Sequence, residues 1–191
     1  LLQSPGRIAG GIIQLDGQRL DLFSQQDFNT IRGKKVGMIF QDPMTSLNPL
    51  ETIESQLLET IALHSNLSKA KTKLRAVELL SDVGISSPAE RMKQFPHEFS
   101  GGMRQRVVIA LVLAGNPDLI IADEPTTALD VSIQATILKL IRTLCRKKNV
   151  GVILVTHDMG VIAEITDRVA VMYMGKIVET NETKCLILEP K

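Results

Sequence analysis

The sequence has little of several features that define large classes of protein. Its 191 residues carry a formal net charge of only +1, so no strong electrostatic field draws the chain to nucleic acid. No apolar run approaches the roughly 18 residues that a bilayer-spanning helix requires. The two cysteines, Cys145 and Cys185, have no metal-binding or redox spacing, which favours reduced structural thiols. Contact with a membrane would therefore come through a partner.

The composition is that of an ordered globular domain. Hydrophobic residues make up 44% of the chain and charged residues 23%, which argues against disorder. Strand patterns dominate residues 8–41, helical periodicity dominates the next block, and strands and helices alternate in the last third. This order predicts an α/β fold with a mainly parallel sheet and an inserted helical subdomain. We place the sheet core at residues 1–42 and 116–191 and the helical subdomain at about 43–115.

Two adjacent carboxylates follow a short apolar run at residues 119–122. The run predicts a buried strand that places Asp123 and Glu124 at its carboxyl end. Because side chains alternate along a strand, we expect the two to point in different directions, one suited to a metal ion and one to a water molecule. The alternative is a solvated turn or a pair of helix caps, and the apolar run together with the tail at residues 125–130 argues against it.

A glycine-flanked helix start lies at residues 99–106 (Phe-Ser-Gly-Gly-Met-Arg-Gln-Arg). The hydroxyl of Ser100 and the first amides of the helix, those of Gly101, Gly102 and Met103, could hold an anion at the positive end of the helix dipole. The helix is expected to run to about Ala114.

Two further polar residues follow apolar strands. Gln41 ends the run at residues 36–40, immediately before the helical block, and an ordinary loop glutamine is the alternative. His157 lies just beyond the apolar run at residues 150–156, where the carboxyl end of a parallel strand faces the ligand crevice of such sheets. A structural histidine is the alternative there. His64 and His97 have no comparable placement and stay unassigned.

Four segments carry a specific family resemblance: residues 41–49 (Gln-Asp-Pro-Met-Thr-Ser-Leu-Asn-Pro), 95–106, 122–130 and 167–179. They closely resemble the ATP-binding subunits of ABC importers for oligopeptides, dipeptides and nickel. Residues 99–106 are similar to the signature loop of that family, and residues 119–125 to its Walker B segment. The resemblance covers nearly the whole chain and fades after Thr180.

The resemblance implies a P-loop NTPase-like ABC ATPase domain that uses ATP and Mg²⁺. By their positions in the segment that resembles Walker B, Glu124 would orient and activate the attacking water, and Asp123 would hold the magnesium ion. Gln41 resembles the family's glutamine-loop residue, which touches both metal-bound water and the γ-phosphate. His157 resembles the switch histidine that contacts the γ-phosphate.

The resemblance also implies partners. Such subunits bind ATP head to tail in pairs, so Ser100, Gly101 and Gly102 would act on the nucleotide of a second, identical or homologous subunit. Asp130 lies in a segment similar to the loop that crosses between subunits, and it could also cap the following helix. Residues 44–49 would dock on membrane-spanning permease subunits, and a solute-binding protein would act indirectly. The implied location is peripheral, at the cytoplasmic face of the inner membrane, without nucleic acid.

Two departures from the family pattern stand out. Phe99 replaces the usual leucine of the signature, a small change that should keep the loop. More seriously, no Gly-x-x-x-x-Gly-Lys-Ser/Thr phosphate loop occurs. Gly33-Lys34 is the nearest match, but Phe28 stands where a glycine is required and Lys35 replaces the Ser/Thr. We therefore expect a fragment whose phosphate loop lies upstream of residue 1 and which does not hydrolyse ATP alone.

Two other interpretations stay open. A degenerate, non-catalytic subunit could lend Ser100 and Gly102 to an active partner. An ABC ATPase of DNA repair or translation is disfavoured by the near-neutral charge and by the residue pattern at 41–49.

Overall fold

The computed structural model describes residues 6–127 and 129–189. Within these ranges, strands and helices alternate around a small parallel sheet. In chain order the elements are β1 (Gln14–Leu15), β2 (Gln18–Arg19), α1 (Gln25–Asn29), β3 (Val36–Ile39), α2 (Ile53–His64), α3 (Lys69–Asp82), α4 (Pro88–Arg91), α5 (Gly101–Ala114), β4 (Leu119–Asp123), α6 (Val131–Lys148), β5 (Gly151–Val155), α7 (Met159–Ile165), β6 (Arg168–Tyr173), β7 (Lys176–Glu182) and α8 (Thr183–Leu188).

The central sheet has the order β3-β4-β5, and all of its pairs are parallel. Ile39 of β3 pairs with Ala122 of β4, and Asp123 pairs with Val155 of β5. The carboxyl ends of the three strands therefore lie at one edge of the sheet, as the alternation of strands and helices predicts. The dipeptide Asp16-Gly17 and Gly175 predict hairpin turns, and antiparallel hairpins form there, β1–β2 around Gly17 and β6–β7 around Gly175.

The predictions made for the strands are only partly confirmed. The central strand β4 is buried as expected, with Ile120 and Ala122 fully inside. The near-continuous apolar run at residues 150–156 predicts a strand covered on both faces. This is wrong for the described residues of β5, because Ile153 is 51% exposed and Val155 48%. At the other end of the chain the first strand is confined to two residues, and Ile12 before it is exposed.

The helical block buries one stripe from each of its long helices. The spacing of Ile53, Leu57, Leu58 and Ile61 predicts a buried stripe on α2. Ile53, Leu57 and Ile61 are buried, and Leu58 packs partly buried against the core. On α3 the spacing of Leu74, Val77 and Leu80 predicts a buried stripe, which is confirmed for Leu80 and wrong for Leu74, which is 65% exposed. The buried positions of α3 are Thr72, Ala76, Leu79 and Leu80. Gly84 is expected to be the C-terminal cap of this helix, and its φ of +77° confirms that expectation.

Helix α5 joins the two parts of the chain. It contacts α2 and α3 on one side and β3 and α6 on others. Its buried residues Val107, Ile109 and Leu113 belong to one continuous hydrophobic core that also includes Ile39 of β3 and Ile137 of α6. The boundary of the helical subdomain at about residue 115 stays a prediction.

The last third carries two helices and a hairpin. The spacing of apolar residues predicts a stripe on α6 made of Ile133, Ile137, Leu140, Ile141 and Leu144. Ile137, Ile141 and Leu144 are buried, and the other two pack partly buried against the core. Helix α7 follows Asp158, whose carboxylate accepts from the amides of Gly160 and Val161. None of the helices in the described ranges has the length and apolar character that crossing a membrane requires.

Candidate functional site

The strand-end pair Asp123 and Glu124 has an unusual backbone. Strand β4 ends at Asp123, and Glu124 follows it with a φ of +43°, in the left-handed region. The amide of Glu124 still donates to the carbonyl of Val155 at 2.9 Å. A left-handed non-glycine residue costs about 1–2 kcal/mol, and such strain is concentrated at functional sites. Strand alternation was therefore the wrong reason for the direction of Glu124, because the chain has already left the strand there.

Three side chains converge on the Glu124 carboxylate. Nε2 of Gln41 donates to Oε2 at 2.9 Å, and Nδ1 of His157 lies 2.8 Å from Oε1. The hydroxyl of Thr127 donates to Oε2 at 3.0 Å. Gln41 follows β3 and His157 follows β5, so the parallel sheet brings two of the predicted residues to the strand end that carries the third.

These contacts set the charge of Glu124. The hydrogen bond from His157, and after it the one from Thr127, holds the pKa of the Glu124 carboxyl below its ordinary value. The side chain is therefore ionised at neutral pH, and it is 26% exposed, so solvent reaches it. An ionised, oriented carboxylate can hold a water molecule and accept its proton.

The same strand end offers ligands suited to a hard cation. Asp123 supplies a half-buried carboxylate, and Gln41, which uses its amide nitrogen on Glu124, has its amide oxygen left as a ligand atom. The described residues contain no group of three or more His, Cys, Asp or Glu that could hold a metal. Mg²⁺ usually takes one or two protein ligands and completes its shell with phosphate and water. The carboxylate of Asp123 and the amide oxygen of Gln41 fit this preference of Mg²⁺ for few protein ligands.

Ser100 occupies the predicted helix start. It is the N-cap of α5, and its Oγ accepts from the amide of Met103 at 3.4 Å. The Met103 amide is thus engaged by the cap, which corrects its expected place among the free anion-binding donors. The amides of Gly101 and Gly102 precede the first intrahelical hydrogen bonds and keep the geometry of anion donors.

Asp130 occupies the N-cap position of α6, as expected, but its side chain makes no capping hydrogen bond. The expectation is confirmed for its position and wrong for its bond. Ala128, which belongs to the same predicted loop, lies outside the described residues.

The nearest phosphate-loop match lies at the wrong end of the sheet. Gly33 and Lys34 precede β3, at its amino end, whereas Gln41, Glu124 and His157 gather at the carboxyl ends. A Cβ at Gly33 would come 2.6 Å from Nε2 of His64, so this loop packs against the end of α2. The structure and the sequence therefore both indicate that Gly33 and Lys34 do not form a phosphate loop.

Thr127 is the residue that sequence reasoning missed. In the sequence, Thr127 stands out only as part of the tail after Glu124. A signal was available, because Thr and Ser side chains in turns often bond back to a residue a few positions earlier. Here the amide of Thr127 donates to the carbonyl of Glu124 at 3.3 Å, and the same turn brings its hydroxyl to the carboxylate.

The fold matches that of ATP-binding cassettes. The cassette MJ0796, in a dimeric post-hydrolysis structure with ADP and Pi, superposes with a TM-score of 0.80 at 27% identity, over 93% of this chain and 75% of that one. The cbiO1 protein of Clostridium perfringens, part of the ABC transporter complex cbiONQ, gives 0.83 at 26% identity, over 95% of this chain and 69% of its own. The sequence profile described as ABC transporter matches residues 2–127. The chain belongs to the ABC transporter family, as its ATP-binding domain.

Several curated relatives are more similar in sequence. The oligopeptide transport ATP-binding protein OppD of Bacillus subtilis is 54% identical over 98% of this chain. The dipeptide transport ATP-binding proteins DppD of Bacillus subtilis and of Escherichia coli are 50% and 44% identical over 97% and 100% of it. The chain spans about half the length of the curated relatives it matches, 52% of OppD and 58% of the Escherichia coli DppD.

Proposed function

We propose that this chain is part of an ATP-hydrolysing subunit of an ABC importer for oligopeptides or dipeptides. The observation that carries the proposal is the convergence of Gln41, His157 and Thr127 on Glu124 beside Asp123. The names of the relatives, oligopeptide and dipeptide transport ATP-binding proteins, support the substrate class.

Each site residue has a proposed role. Glu124 orients the attacking water and accepts its proton, and His157 and Gln41 fix its carboxylate and face the γ-phosphate. Asp123, with the amide oxygen of Gln41, would hold Mg²⁺, which supplies charge neutralisation on the phosphates when bound. Positioning and electrostatics dominate phosphoryl transfer, and these groups provide both.

The other half of the proposed site is shared between subunits. Ser100, Gly101 and Gly102 would bind the nucleotide of a second, identical or homologous ATP-binding subunit, with Asp130 at the crossing between them. Membrane-spanning permease subunits would dock near residues 44–49, and a solute-binding protein would deliver the peptide to those subunits. The proposed location is peripheral, at the cytoplasmic face of the membrane, without nucleic acid as a partner.

A second candidate function has a specific observation in its favour. These 191 residues contain no phosphate-loop motif, so the main grip on the nucleotide would come from outside them. The residues alone are therefore proposed to be inactive in ATP hydrolysis. If the natural subunit also lacks that loop, it is a non-catalytic module that lends Ser100 and Gly102 to an active partner.

The test uses the product of the complete reading frame that encodes these residues. We expect Mg²⁺-dependent ATP hydrolysis, and Glu124→Gln should lower the turnover by about 10² or more, the scale of a lost proton-handling group. Glu59→Gln, an exposed change on α2, is the matched control and should leave turnover unchanged.

The outcomes separate the two candidates. Unchanged turnover in Glu124→Gln would remove Glu124 from its role. A complete product that hydrolyses no ATP, but raises hydrolysis by a catalytic cassette only while Ser100 is intact, would identify the lending module. Uptake of labelled dipeptides and longer peptides by the assembled transporter would then decide the substrate class.

A further inference from the structure

The two glycines after Ser100 pack against the segment around Asp130. A Cβ built on Gly101 would lie 3.3 Å from Cδ2 of Leu129, and one built on Gly102 only 2.8 Å from Cγ2 of Ile133. Leu129 and Ile133 flank Asp130, on the loop before α6 and on its first turn. The start of α5 is therefore seated directly on the start of α6.

The two contacts differ in how easily the neighbouring side chain can move to make room for a Cβ. Cδ2 of Leu129 is the far end of a flexible side chain, which can turn away. Cγ2 of Ile133 branches from Cβ, and a β-branched side chain in a helix has essentially one χ1 rotamer. Non-bonded carbon atoms in contact lie about 3.5–4.0 Å apart. A methyl group at position 102 would therefore need about 0.7 Å or more of additional distance from Cγ2 of Ile133.

Ile133 is in turn fixed to the loop that precedes it. Its amide donates to the carbonyl of Asp130 at 2.9 Å, and Nε2 of the neighbouring Gln134 donates to the carbonyl of Leu129 at 3.0 Å. The loop, the first turn of α6 and the start of α5 thus form one packed unit, and a displacement at Gly102 would be transmitted to Asp130.

We propose that Ile133 is a positioning residue that sets the distance between the Ser100 helix start and the Asp130 loop. On this inference, Ile133 of the same chain leaves room only for a glycine at position 102, whose backbone amide stays free to bind a nucleotide. The consequence for nucleotide binding rests on the proposed function, in which Ser100 and Asp130 both face the partner subunit's ATP. The packing itself does not depend on that function.

The first experiment measures thermal unfolding of the complete gene product. Gly102→Ala should lower the unfolding midpoint by several degrees, the scale of an overpacked contact, and by more than Gly101→Ala does. Ile133→Ala removes Cγ2, so Gly102→Ala should cost almost nothing when introduced into that background. If Gly102→Ala lowers the unfolding midpoint by the same amount in the parent and in the Ile133→Ala background, the inference is wrong.

The second experiment measures ATP-dependent dimerisation of the complete gene product, with Glu124→Gln added to every variant to prevent hydrolysis. Gly102→Ala should raise the half-saturating ATP concentration about tenfold or more. Gly102→Ala with Ile133→Ala should return it to within about threefold of Ile133→Ala alone. A merely structural contact would not move this concentration while a folded dimer still forms.

The two experiments fail differently. If the double variant binds ATP as weakly as Gly102→Ala, a ligand requires the glycine and the inference is wrong. If even the parent shows no ATP-dependent dimer, the proposed function fails, and the unfolding comparison alone decides whether Ile133 dictates the residue at position 102.

Discussion

Nε2 of Gln41 donates a hydrogen bond of 2.9 Å to Oε2 of Glu124, across 83 positions of the chain. The contact exists because β3 and β4 are adjacent parallel strands whose last residues lie at the same edge of the sheet. Gln41 also leads directly into residues 42–49, where the helical block begins. A shift of that segment would therefore change the hydrogen bonding of Glu124, which gives the proposed docking region a direct physical connection to the proposed catalytic group.

The first prediction concerns the hydroxyl of Thr127. Thr127→Val keeps the shape of the side chain but removes the hydrogen bond to Glu124. We expect turnover of ATP by the complete gene product to fall about fivefold, which corresponds to about 1 kcal/mol for one hydrogen bond. Thr127→Ser keeps the hydroxyl and should retain most of the activity. Equal turnover in the valine variant and the parent would show that the bond does not position Glu124.

The second prediction compares two buried glutamines. Gln105 of α5 is fully buried, and neither its Oε1 nor its Nε2 has a hydrogen-bond partner among the described residues. Because an unpaired buried amide costs about 1–3 kcal/mol, Gln105→Met should raise the free energy of unfolding by about 1 kcal/mol or more.

Gln56 is the matched control for that change. Its side chain accepts from the amide of Asn48 and donates to the carbonyls of Asn48 and Glu51. Gln56→Met should therefore lower the free energy of unfolding by about 2 kcal/mol, since each lost bond is worth about 0.5–1.5 kcal/mol. Chemical denaturation measures both variants, and a destabilised Gln105→Met would mean that its amide has a partner.

The third prediction concerns the two thiols. Burial raises the pKa of the Cys145 thiol to about 11, whereas Cys185 is exposed. Only the thiolate reacts, so at pH 8 a thiol reagent should label Cys185 first and Cys145 only on unfolding. Cys185→Ser should remove the fast phase and Cys145→Ser should keep it. Fast labelling of Cys145 in the folded chain would contradict its burial.

The same thiol predicts a pH dependence of stability. The folded pKa of Cys145 lies above that of the unfolded chain, so the folded state holds a proton that the unfolded state releases. The stabilisation is fully present below about pH 9, near the ordinary thiol pKa, and is lost as the pH rises from there to about 11. Cys145→Ser should flatten this decline when unfolding is followed across that range.

Much of the arrangement follows from local pattern. The apolar run before Asp123 predicts a strand, the helical spacing of Ile53, Leu57 and Ile61 predicts a buried face, and Gly84 ends α3 where expected. These features depend on residues that are close together in the chain, so they can be predicted without a structure. Leu74 shows the limit, since its spacing fits a buried stripe but the neighbouring helices cover a different side of α3.

By itself, the sequence determined the family, the order of strands and helices, and which polar residues stand at strand ends, because motifs and periodicity are local properties. Only the tertiary structure decided that Glu124 leaves its strand in a left-handed conformation, that Thr127 joins Gln41 and His157 on its carboxylate, and that Gly102 lies against Ile133. Each of these depends on where separate segments meet in space. Hydrogen bonds and van der Waals contacts act over a few ångströms, whereas the residues that make them stand up to 83 positions apart.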